Sequence, residues 1–178
     1  MNFKSVGENV KIFDRAKIVF PENIEIGNNV IIDDFVLIIA KKKIKIGSNV
    51  HIGAFASIVG NEEVIMEDFS GISQGVKIFT STEDFRGSYL SNPTVPSEFK
   101  NVYSAPVIIK KFGLVGANTV ILPGSIIEEG TSIGANSLVY KTTEPYSFYA
   151  GSPVKKIGEK NKDQMLLLEK KYKESING

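Results

Sequence analysis

Branched aliphatic residues recur every six positions over most of the chain, separated by small, polar or charged residues. From Ile26 the sequence parses as IGNNVI and IDDFVL, then IGSNVH and IGAFAS, then MEDFSG and ISQGVK. After an interruption it resumes as IKKFGL, VGANTV, ILPGSI, IEEGTS and IGANSL. Ile26, Ile32, Ile46, Ile52, Ile72, Ile109, Val115, Ile121, Ile127 and Ile133 lead these hexads. A small or β-branched residue usually follows four places later, as at Val36, Ala56, Val76, Thr119 and Ser137. Six is three times the side-chain period of a strand and matches no helical repeat, so the leading residues all point the same way. Gly27, Asn28, Gly47, Gly53, Gly116, Asn118 and Gly134 fall where the chain must turn, and this reading expects positive φ there. The pattern predicts an all-β parallel solenoid of short strands and sharp corners, each coil burying its aliphatics only against its neighbours.

Two segments leave the pattern. Residues 80–105 hold Gly87, Asn92, Pro93 and Pro96 among Phe85, Tyr89, Phe99 and Tyr103. A loop of that length within a compact domain is usually functional, and its aromatics argue against disorder. Residues 161–176 place Met165, Leu168 and Tyr172 on one helical face, with Asn161 and Gln164 at N-cap and N3. The expected division is a solenoid over 1–158 and a helical cap over 159–178, packed on the solenoid's open end.

The repeat, together with "VGANTVILPGSIIEEGTSIGANSLVYK" (115–141) and "AGSPVKKI" (150–157), resembles the hexapeptide-repeat, left-handed β-helix acyltransferases. The closing motif is similar to that of sugar acetyltransferases of the galactoside and maltose type, and the resemblance spans roughly residues 6–157. It implies three hexads per triangular coil and a homotrimer with active sites at subunit interfaces. It further implies acetyl-CoA lying along a groove walled by the protruding loop. By the same resemblance Ala117 and Ala135 line the pantetheine groove, Tyr140 and Lys141 contact the far end of the cofactor, and Lys155 and Lys156 lie near its phosphates. The position of the family's tryptophan before the "VG" of one hexad is Leu114 here.

In the family a histidine just after the coil "I-S-x-x-V-x-I" takes the acceptor's proton. Here "ISQGVKIFTSTED" carries Glu83 at that register, with Asp84 beside it. A carboxylate of ordinary pKa (about 4.3) is a weak base for a hydroxyl. His51, the chain's one histidine, is the competing base, and stacking of coils would bring it near the mouth of the loop. Phe85 and Arg86 are candidate acceptor contacts, Arg86 for a diphosphate. Three readings stay open: transfer to a sugar hydroxyl for cell-surface polysaccharide, N-acetylation of a nucleotide-linked amino sugar, and a non-catalytic scaffold. An amine, once neutral, attacks without strong base help.

Composition removes other classes. With no cysteine and one histidine, a thiolate nucleophile, a disulfide framework and a multi-histidine metal site are all excluded. A net charge of +1 gives no field for nucleic acid, and no apolar run reaches the ~20 residues of a membrane span. A cytoplasmic location is the expectation.

Overall fold

The computed structural model describes residues 2–176. The chain winds through three sheets of six, eight and six strands, parallel throughout except for the last strand of the eight-stranded sheet. Sheet 1 includes Ile24–Ile26, Ile44–Ile46, Val64–Met66 and Val107–Ile109. Sheet 2 includes Ile31–Ile32, His51–Ile52, Gly71–Ile72, Leu114–Val115 and Ser132–Ile133. Sheet 3 includes Leu37–Ala40, Ser57–Gly60, Lys77–Phe79 and Val120–Ile121. The periodic aliphatics build the interior. Ile32, Ile52, Ile72, Val115 and Ile133 stand in register on successive turns, each at most 2% exposed. Burying each contributes about 1.5–3 kcal/mol.

The chain passes a first corner from sheet 1 to sheet 2, a second from sheet 2 to sheet 3, and a third back to sheet 1. Turns before the loop advance by 20 residues and those after it by 18, so the three-hexad coil describes only the later part. Positive φ falls elsewhere than expected. Asn118 has it, but so do Phe35, Phe55, Phe69 and Phe112, whereas Gly27, Asn28, Gly47, Gly53, Gly116 and Gly134 do not. Those glycines serve close stacking instead. A Cβ on Gly116 would sit 2.5 Å from Ala135 N on the next turn.

The C-terminal helix, Lys162–Ile176, starts where the sequence places it, with Gln164 N–H donating to Asn161 Oδ1 at 3.0 Å. Its position is a correction: it lies along the first corner, not over the open end. Tyr172 meets Phe69 edge-on at 5.6 Å and donates to Asn49 Oδ1, while Lys111 pairs with Glu169 at 2.7 Å. The apolar face of Met165, Leu168 and Tyr172 is turned toward Phe69 and Phe112 across a cleft of about 450 Å³. At the solenoid's end, strand Lys155–Glu159 folds back antiparallel on Ser147–Ala150 and pairs that sheet edge.

Candidate active site

The interruption at 80–105 leaves from the third corner. Thr80, fully buried, donates to Val59 O, accepts from Glu62 N and anchors the departure. Ser81–Thr82 then pairs antiparallel with Tyr103–Ser104, so the loop stands on a two-stranded stalk.

Glu83 and Asp84 take different roles. Asp84 accepts from Arg86 N at 2.7 Å and from Tyr89 N at 2.9 Å, both within its own loop. The Arg86 N–H holds its carboxyl below the usual range. Glu83 carries a buried oxygen, Oε2, with no hydrogen-bond partner. An unpaired buried oxygen costs about 1–3 kcal/mol, a penalty a hydrogen-bonding ligand would remove. The residue Glu83 lines a cleft of about 400 Å³ with Thr82, Asp84, Phe85, Arg86, Asn101 and Tyr103. Asp84→Ala should therefore loosen the loop, read as faster proteolysis between residues 85 and 100. Folding favours the ionised form of Asp84, so its ordering effect is present above the ordinary carboxylate pKa. It is lost as pH falls through the lower folded value.

His51 does not stand at the loop's mouth. It projects from sheet 2, the face opposite the third corner, and its Nε2 lies 2.9 Å from Asp33 Oδ2. Stacking advances a residue along its own face, so more turns cannot carry His51 to Glu83 within one chain.

Ala117 and Ala135 fall on successive turns at the second corner, where Asn136 N donates to Ala117 O. At the first corner the equivalent N–H groups are satisfied by side chains of the next turn. Asn28 N donates to Ser48 Oγ, and Ser48 N to Asp68 Oδ1. At the second corner the next side chain beyond Ala117 is an alanine, which accepts nothing. The Ala117 and Ala135 N–H groups have no protein acceptor among the described residues. Such a row of free donors beside small side chains fits the amide carbonyls of a pantetheine arm.

Lys155 is exposed and, among the described residues, makes no ion pair, whereas Lys156 is held by Glu144 and Glu159, which raise its pKa. Tyr140 and Lys141, exposed neighbours, sit at the third corner beyond strand Leu138–Val139, apart from the two alanines. Phe85, 89% exposed, and Arg86 lie on the outer loop. Second- and third-corner candidates are thus separated by the width of sheet 3, a four-residue strand at Ser57–Gly60, about 13 Å. Asn101, which the sequence does not mark, and Tyr103, marked only as one of the loop's aromatics, join the cleft beside the stalk's antiparallel pairing, which no hexad pattern signals.

No protein-family model matches the chain. It is 44% identical, over 100% of its length and 93% of the relative's, to dTDP-4-amino-4,6-dideoxy-D-glucose acyltransferase of Escherichia coli. It superposes with a TM-score of 0.94 on AntD, an N-acyltransferase from Bacillus cereus in complex with dTDP and 3-hydroxybutyryl-CoA. That match has 39% identity and covers 99% of this chain and 93% of AntD. A maltose O-acetyltransferase from Clostridium difficile, 20% identical over 90% of this chain and 71% of its own, shares the fold at a TM-score of 0.63. The parallel solenoid agrees with the fold of these relatives, and the chain belongs to the hexapeptide-repeat sugar acyltransferases. No helix among the described residues is long and apolar enough to cross a membrane.

Proposed function

We propose that the protein transfers an acyl group from a coenzyme A thioester to the amino group of a nucleotide-linked amino sugar. The observation that carries the choice of amine is Glu83, a residue of the loop cleft whose second carboxylate oxygen is buried without a hydrogen-bond partner. A carboxylate suits an ammonium group: it binds the cation and accepts its proton, leaving a neutral nucleophile. A hydroxyl would demand a stronger base at that register. The full-length relatives favour the same acceptor, since both carry amino-sugar or N-acyl transfer in their names.

The acyl-CoA brings the thioester carbonyl as electrophile, and coenzyme A leaves as the thiol. Ala117 and Ala135 hold its pantetheine arm through their free N–H groups, and Lys155 meets its phosphates. A donor at that corner also faces the carbonyl oxygen as the nitrogen–carbon bond forms and the carbon–sulfur bond breaks. Because Glu83 and the alanines occupy different corners, one copy supplies the donor groove and another the loop. We assign a homotrimer, with Phe85 and Arg86 reaching the neighbour, and with His51 available to the site of Glu83, and Tyr140 and Lys141 to a donor groove, only across such an interface. The same reading places the protein in the cytoplasm, supplying sugars for surface polysaccharide.

The test is an assay of thiol release from acetyl-CoA and longer acyl-CoAs. Acceptors are a dTDP-linked 4-amino sugar, its hydroxyl counterpart and free maltose. Turnover with the amine alone is expected; turnover with the hydroxyl acceptors alone overturns the reading.

A further inference from the structure

The second corner changes character midway along the solenoid. Its outward side chains on successive early turns are Arg15, Phe35 and Phe55. The guanidinium lies 5.4 Å from the Phe35 ring, and the two phenyl rings stack at 5.0 Å and 4°. Both rings are exposed, Phe55 at 59%. The next rung is Gly75, which has no side chain, and after it come Asn118 and Asn136. The stack therefore stops with one face of Phe55 uncovered.

Rungs of the solenoid are about 4.8 Å apart, close to the spacing of stacked rings. A planar ring placed over Gly75 would continue the stack by one member. Asn118 bends toward this rung: a Cβ on Gly75 would overlap its Oδ1. Its amide makes no side-chain hydrogen bond to the described residues, so a donor and an acceptor face the edge of any ring lying there. Lys77, whose Nζ donates to Phe55 O at 2.7 Å, places a positive charge beside the same rung.

Two ligands of the reaction carry planar heterocycles, the acceptor nucleotide and coenzyme A. The groove assigned to the pantetheine arm runs from Ala117 through Ala135 toward Lys155, away from Phe55. The slot over Gly75 opens on the opposite side of Ala117. Resting on the nucleotide-sugar reading above, we infer that the Phe55 ring, the gap at Gly75 and the Asn118 amide form the site for the acceptor's pyrimidine base. One copy then grips the base while the sugar extends toward Glu83 of the next.

The variant Phe55→Asn removes the platform and keeps the fold, because Asn118 and Asn136 already occupy equivalent positive-φ rungs. Phe55→Tyr keeps the platform. Titration calorimetry with dTDP, UDP and CoA should show pyrimidine nucleotide affinity falling on the order of tenfold in Phe55→Asn. It should hold in Phe55→Tyr, with CoA affinity and oligomeric mass unchanged in both. Unchanged nucleotide affinity in Phe55→Asn, with acyl transfer to the amino sugar intact, overturns this inference alone. Weakened CoA binding, or loss of nucleotide accompanied by dissociation of the assembly, also overturns it. Wild-type protein that binds neither nucleotide overturns this inference and the functional reading together.

Discussion

Glu83→Gln should lower kcat for the amino-sugar acceptor by roughly 10²-fold, with KM changing a few-fold at most. Glutamine preserves the shape of the side chain in the loop cleft and loses only the charge and the proton-accepting oxygen. Positioned acid–base groups contribute about 10²–10⁴ to rate. An amine belongs at the lower end, because it is a good nucleophile once neutral and asks the base only for one proton. A hydroxyl acceptor would belong at the upper end. The size of the loss therefore reports on the acceptor as well as on the residue. His51→Ala, across the prism from Glu83 and engaged by Asp33, should cost under about tenfold. Steady-state kinetics of both variants at saturating acyl-CoA decides between them. Equal large losses would show that His51 enters the site from a neighbouring copy as a second essential group. Loss from His51→Ala alone would transfer the proton-accepting role to it.

The solenoid was legible because burial repeats with the strand period. Each leading aliphatic, from Ile26 to Ile133, is in the core, since a residue pointing inward on one coil points inward on all. The corners were less legible. Glycine was expected to take the left-handed backbone, yet Phe35, Phe55, Phe69 and Phe112 take it, and their rings then stack outward along the corner. The glycines were read for φ when the constraint on them was the next coil's backbone. The helix illustrates the same limit. Its apolar face was plain in Met165, Leu168 and Tyr172, but its place depended on two phenylalanines, Phe69 and Phe112, whose hexads lie on opposite sides of the loop in sequence. For the candidate site, sequence marked Glu83, Ala117 and Ala135 individually. It could not assign them to different corners, because that depends on where in a coil the loop departs and on turns of 20 rather than 18 residues.

Ala117→Trp should weaken coenzyme A binding by at least about a hundredfold, near 2.7 kcal/mol, while leaving dTDP affinity within about twofold. The free N–H groups at the second corner are useful only while a chain of amides can approach the backbone. An indole at Ala117 would lie across the Ala117 and Ala135 donors and fill the approach. The side chain is half-buried at the surface of the corner, so the bulk projects outward and does not enter the aliphatic core. Ala117→Ser, which keeps the approach open, should bind coenzyme A nearly as the wild type does, and thermal unfolding of both variants controls for damage to the stack. Unchanged coenzyme A affinity in the tryptophan variant would remove the second corner as the donor groove. The need for two copies to meet would fall with it, since it follows from the donor groove and Glu83 occupying different corners of one chain.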